Sequence, residues 1–399
     1  MNKGLFKGVS NSQSDRRLGS GDVVLSLTKQ KYADFVDMRA ETITGARGIR
    51  FGTVRLNNRY GDEAFAQYAT APAFPGGTSG VAASMNGQFM AVVHSASPYV
   101  TIYEISGTTF TKLSNPLSLP TGIGRGVSFS PNGQFMAVGH DSSPYVTIYE
   151  ISGTTFTKLS NPSSLPTSTG YGVSFSPNGQ LMAVAHNTSP YVTIYEISGT
   201  TFTKLSNPAT LPASTSYGVS FSPNGQFMAV GHDSSPYVTI YEISGTTFTK
   251  LSNPSSLPTS TGYGVSFSPN GQLMAVAHNT SPYVTIYEIS GTTFTKLSNP
   301  ATLPAGVGRG VAFSPNGQFM AVAHSTSPYV TIYAIGASEF TKVFTPLPSP
   351  SSAAGQGVTF SYDSKLFMNT SNTVYKTTYT NLDRYPINLD SAIEISVKL

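Results

Sequence analysis

Histidine is the commonest metal ligand and the side chain that titrates nearest neutral pH, so the placement of this chain's six histidines is the first chemistry to weigh. They stand at His94, His140, His186, His232, His278 and His324, a fixed interval of 46 residues. Such a series invites a shared metal or a collective pH switch. Packed sheets lie about 10 Å apart, whereas each zinc ligand must sit about 2.0 to 2.1 Å from the ion. Histidines in successive units therefore cannot chelate one ion, and no metal is expected. Each follows an apolar run and precedes Asp141, Asn187, Asp233, Asn279 or a serine, which suits a local hydrogen bond closing a loop. Collective protonation that loosens several units together is the alternative.

No other constellation points to catalysis. The chain has no cysteine, no Gly-Xaa-Ser-Xaa-Gly elbow and no phosphate loop. Its carboxylates recur unit after unit, whereas an active site is ordinarily built once. Neither an enzyme activity nor a cofactor is expected.

The elements that carry the histidines repeat with them. Gly80, Gly126, Gly172, Gly218, Gly264 and Gly310 keep the same interval, and Gly357 slips by one residue. A period of this length marks an array of supersecondary units. Within the copy that starts at Gly126, Gly-Val-Ser-Phe-Ser-Pro reads as a strand and Pro131-Asn132-Gly133 as a tight turn. Residues Gln134 to His140, Tyr145 to Ile151 and Phe156 to Leu159 read as three more strands, separated by Asp141 to Pro144 and Ser152-Gly153-Thr154. Four short antiparallel strands per copy, seven times over, make an all-β, seven-bladed propeller.

The ends of the array predict how it closes. Phe65 to Pro75 aligns with Phe110 to Pro120, a fourth strand with no partners before it. The seventh copy supplies the complement: Gly357 to Ser361, Lys365 to Thr370 and Thr373 to Tyr379, after which the pattern stops. Residues 65–70 are expected to complete the seventh blade beside Val374 to Tyr379 and pair its open edge.

The blade resembles that of the WD-repeat propellers, on Phe129-Ser130-Pro131-Asn132-Gly133-Gln134 and Val146-Thr147-Ile148-Tyr149-Glu150. The resemblance covers residues 62–380. Tyr-Glu stands where that family has Trp-Asp, and the family's Gly-His pair before the first strand is missing. The resemblance implies a scaffold that gathers protein partners.

Outside the propeller lie residues 1–61 and 381–399. The first sixty residues hold eleven Lys or Arg against five Asp or Glu, so the formal charge of +4 resides at this end. Asp22 to Thr28 reads as a strand, and Tyr32, Phe35, Val36 and Arg39 fall at helical spacing within Lys29 to Ala40. The basic residues are dispersed, which argues against nucleic acid and for an attachment element. No apolar run is long enough to span a membrane, and no signal peptide is seen behind Met1.

Two loops vary among otherwise similar copies: the one after the second strand and the one before the first. The latter ends in Ser79, Arg125, Tyr171, Tyr217, Tyr263, Arg309 and Gln356. Both are expected on one face, with Arg125, Tyr171, Tyr217, Tyr263 and Arg309 as binding residues at the channel mouth, since Tyr and Arg dominate hot spots. Residues 126–213 and 218–305 are identical, a recent tandem duplication. A Cys-free display domain on a basic arm resembles bacteriophage virion proteins of tail, neck or head. That implies a virion location, other virion proteins as partners of residues 1–61, and a host-surface protein or glycan as partner of the loop face. A cytoplasmic interaction scaffold and a carbohydrate-binding propeller with one shallow site per blade are the alternatives.

Overall fold

A computed structural model describes residues 22–31, 36–44, 54–55, 65–67, 77–107, 109–336, 339–343, 356–364, 366–369, 373–377 and 393–398. Every element among them is a β-strand. The chain divides into two units, residues 59–380 and residues 1–58 with 381–399.

The larger unit is a WD-like propeller of four-stranded antiparallel blades, each running from the channel outward in chain order. Blade 2 is typical: Gly124–Phe129 is the inner strand, then Phe135–His140, Val146–Ser152 and the outer Thr155–Lys158. Five further blades repeat this plan. The seventh sheet combines Val358–Phe360, Leu366–Asn369 and Thr373–Thr377 with Phe65–Gln67. Tyr375, Lys376 and Thr377 pair with Gln67, Ala66 and Phe65, so the expected closing strand forms, three residues long.

The sequence explains the blade. Asn132 and Gly133 close the first hairpin, with Gly133 at φ 72° where a side chain would be strained. Ser130 holds the turn: its hydroxyl donates to Asn132 Oδ1 at 2.7 Å and accepts from the Phe135 amide at 2.8 Å. The second strand is buried along its whole length because neighbouring blades cover both of its faces. Phe135 and Ala137 pack against Val173, Phe175 and Met182 of blade 3. Met136 and Val138 pack against Phe89, Ala91 and Val100 of blade 1. The core therefore lies between blades, and no blade buries its apolar surface alone.

Tyr149, where the WD pattern has tryptophan, is fully buried and donates its hydroxyl to the Ser118 carbonyl at 2.9 Å. It clamps the linker from the preceding blade, as Tyr195, Tyr241, Tyr287 and Tyr333 do in turn. Burial pushes the pKa of each of these phenols up. At the closing seam, Val358 and Phe360 join the cluster of Phe319, Ala321 and Ile332 in blade 6.

The smaller unit is a four-stranded sheet ordered Val54–Arg55, Val36–Thr44, Asp22–Lys31, Ile393–Lys398. The strand expected at Asp22 is present. The helix expected over Lys29 to Ala40 is not: Lys31 ends one strand and Val36 begins the next, with Lys31 paired to Val36. Tyr32 and Phe35 themselves lie outside the described residues. Cross-strand pairing to residues 393–398 on one edge and 36–44 on the other satisfies the backbone that a helix would have satisfied internally.

Candidate functional site: the channel mouth

One residue of the inner strand stands out of register in each of blades 1 to 6. Gly124 pairs with His140 and Gly126 with Gly139, leaving Arg125 as the extra residue of a β-bulge. The same irregularity isolates Ser79, Tyr171, Tyr217, Tyr263 and Arg309. A bulge bends its strand and re-aims a side chain. Here it directs to one place the residues that differ among near-identical blades.

The glycine that follows each bulge is a packing requirement. A Cβ at Gly126 would run into the Tyr171 carbonyl, and one at Gly218 into that of Tyr263. Inner strands of neighbouring blades meet backbone to backbone around the channel, so only glycine fits.

The bulge residues line a funnel of about 610 Å³, with Ser79 and Gln356 completing the ring and a valine from each inner strand beneath. Tyr171 and Tyr217 have ring centroids 5.2 Å apart, Tyr217 and Tyr263 5.1 Å apart, both tilted. Arg309 lies over the Tyr263 ring with its guanidinium carbon 4.5 Å from the centroid. Such contacts add about 0.5 to 1.5 kcal/mol beyond burial. The aromatic residues thus form one continuous surface spanning blades 3 to 5, with Arg125 before it and Arg309 after it. Burial, with the charge of Asp233 added, pushes the Tyr217 phenol up to about 12, so it is a neutral donor at any ordinary pH.

Both variable loops do meet on this face. Thr121 donates its hydroxyl to the Ser143 carbonyl at 2.7 Å, and the Ile123 amide donates to Asp141 Oδ1 at 2.9 Å. Between blades, Thr261 donates to Asp233 Oδ1 at 2.7 Å and Thr215 to Asn187 Oδ1 at 3.0 Å. Asp141 also forms an ion pair with Arg125, at 3.6 Å.

The six histidines lie inside the blades rather than in the funnel. Each is fully buried, and its Nε2 hydrogen-bonds a third-strand threonine seven residues on: Thr101, Thr147, Thr193, Thr239, Thr285 and Thr331, at 2.9 to 3.0 Å. In blade 1, His94 Nδ1 donates to the Ala96 carbonyl at 2.7 Å, which leaves Nε2 to accept from Thr101. Burial lowers His140, His186, His232, His278 and His324 to about 4 and also lowers His94. The loop-closing bond expected from the sequence is present at His94, whereas Nδ1 of His140, His232 and His324 has no hydrogen-bond partner among the described residues; sequence inspection did not find the buried cross-strand bond, although the threonine recurs at the same interval. Among the described residues no group of three or more His, Asp or Glu gathers as a metal site.

The bulges and the glycine collar also escaped the sequence reading. The Gly-Xaa-Gly pattern around Arg125, Tyr171, Tyr263 and Arg309 was their visible signal.

Comparison with known proteins agrees on the fold. A family model described as "Lactonase, 7-bladed beta-propeller" matches residues 157–307 and 220–352. A chain from a structure described as "Crystal Structure of Mitotic Checkpoint Complex" superposes with a TM-score of 0.60 at 14% identity, over 84% of this chain and 99% of that one. No curated protein matches.

Proposed function

We propose that this chain is a non-enzymatic interaction protein that captures its partner at the channel mouth. The observation that supports the reading most is the bulge series. In blades 2 to 6, which are otherwise near copies, the residues the bulges present are Arg, Tyr, Tyr, Tyr and Arg, and the tyrosines and Arg309 are stacked side by side. Aromatic rings and guanidinium groups in a concave, partly desolvated site are the usual anchors of recognition.

We assign to residues 1–61 the attachment of the propeller to a larger assembly. Its support is organisation: a basic segment outside the propeller whose strands form a sheet of their own with residues 393–398. A virion surface is the assembly we favour, with a host-surface protein or glycan as the captured partner. A cytoplasmic scaffold is the runner-up.

The test of mouth capture is a binding screen of the intact chain against glycan and protein arrays. The Tyr171→Ser, Tyr217→Ser, Tyr263→Ser triple variant should lose the captured partner. Met85→Ser with Tyr362→Ser, two exposed side chains on the hairpin turns of blades 1 and 7, should retain it. The reverse pattern would move the site to the opposite face.

The family match favours a second reading, hydrolysis of a lactone in the same funnel. In blade 2 Arg125 would stabilise the developing oxyanion and Asp141, 3.6 Å from it, would activate water. Turnover of simple lactones that falls at least about a hundredfold in Asp141→Asn would replace the binding reading with this one.

A further inference from the structure

The two arginines of the mouth occupy matching positions but differ in their surroundings. In blade 2, Arg125 faces Asp141. In blade 6 the residue equivalent to Asp141 is Ser325, and no ion pair holds Arg309 among the described residues. The loop geometry is otherwise the same. Asp141 donates its amide to the Ile123 carbonyl at 3.2 Å, and Ser325 donates its amide to the Val307 carbonyl at 3.0 Å. Gly122 leaves room for the Asp141 carboxylate, and Gly306 leaves the matching room beside Ser325 and Thr326. Blade 6 thus has the arginine and the space for its carboxylate, with the carboxylate itself replaced.

Arg309 is also held in place. Its guanidinium is stacked on Tyr263, and its Nε is buried with no hydrogen-bond partner. The other carboxylate of this face, Asp233, belongs to blade 4, two blades away, and is engaged by Thr261. Among the described residues the cation therefore stands unneutralised at one end of an aromatic surface.

The geometry points to a binding site for an acidic saccharide, whose carboxylate pairs with Arg309 and whose hydroxyls bond the phenols of Tyr263 and Tyr217. A guanidinium pairs with a carboxylate bidentately, and a tyrosine hydroxyl can both donate to and accept from the hydroxyls of a sugar. The funnel volume, about 610 Å³, falls in the range of small-ligand pockets, which favours one or two sugar residues over a folded acidic surface. The inference rests on mouth capture as proposed above. It replaces one shallow site per blade with a single site spanning blades 4 to 6.

Calorimetry and saturation-transfer NMR on the full chain test it, with digalacturonate and sialyllactose against their neutral counterparts galactobiose and lactose. The acidic sugars should bind at least about tenfold more tightly, as one charge-assisted contact requires, and the preference should shrink as salt is raised. Ser325→Asp restores the arrangement of blade 2 and should erase the preference without unfolding the blade, as should Arg309→Gln. Equal binding of acidic and neutral sugars, with Ser325→Asp silent, would overturn the acidic site, yet leave mouth capture standing if the tyrosine triple variant still abolishes binding. Binding of polyglutamate but of no saccharide would overturn the sugar and keep the face. Saccharide binding indifferent to every mouth variant would remove both.

Discussion

The two faces of the propeller are built from the same repeats and use their side chains differently. On the turn face, Ser176, Asn178 and Gln180 hydrogen-bond one another and the local backbone, and the same arrangement recurs at Ser130, Ser222, Ser268 and Ser314. These polar groups are consumed in holding a hairpin. On the mouth face a bulge lifts one residue of each of blades 1 to 6 out of the ladder, so its side chain owes nothing to pairing. Repetition marks the face whose side chains hold the hairpins, and variation falls on the face where we propose that recognition occurs.

Both faces exist only in a closed ring, which gives the largest expected effect. Removing residues 1–75 takes away the partner of Tyr375 to Thr377 and leaves the seventh blade with an open edge. The truncated chain should melt lower and self-associate, read by light scattering behind size exclusion. A monomer with unchanged melting would show that closure does not depend on that strand.

Acid should separate the faces next. The buried histidines are neutral in the fold, lowered to about 4 or held low against about 6.5 when unfolded. The unfolded chain therefore binds more protons between these values. Their contribution is fully present above about pH 6.5 and is lost as pH falls toward about 4. The melting temperature should decline through that window, and amide exchange should rise first at the loops of the mouth face, which the His–Thr pairs underlie. A flat melting temperature down to about pH 4.5 would contradict the buried neutral rings.

Smaller effects should fall on opposite properties. Ser176→Ala leaves the buried Leu181 amide without its side-chain acceptor and should cost about 1 to 3 kcal/mol in denaturant unfolding, with capture unchanged. Tyr217→Ser breaks two ring contacts and should cost less than about 1.5 kcal/mol, while capture drops. If Ser176→Ala weakens capture and Tyr217→Ser only stability, the roles of the faces are exchanged.

What the sequence made legible follows from where the determining contacts lie. The period, the Asn-Gly hairpins and the orphan strand at Phe65 are local patterns, and each reads directly. The bulges depend on how Gly124 and Gly126 pair with His140 and Gly139, a register that no single strand encodes. The histidines show the same limit: the buried bond of His140 runs to Thr147 across a strand pair, while the residue beside it in sequence is Asp141. At the N-terminal end, Tyr32, Phe35, Val36 and Arg39 fit a helical interval, yet the strand that pairs with Asp22 to Leu27 lies at Ile393 to Lys398. Pairing across that separation leaves no trace in a short window.

Hydrogen exchange with and without the captured ligand tests the division of the faces most directly. Tandem identity makes peptides from 126–213 and 218–305 indistinguishable, but their position within the blade is unambiguous. Protection is predicted at the bulge strands and the loops before them, residues 121–126 and their equivalents through 305–310. Protection confined to the hairpin turns, residues 84–88 and their equivalents through 361–364, would contradict the account.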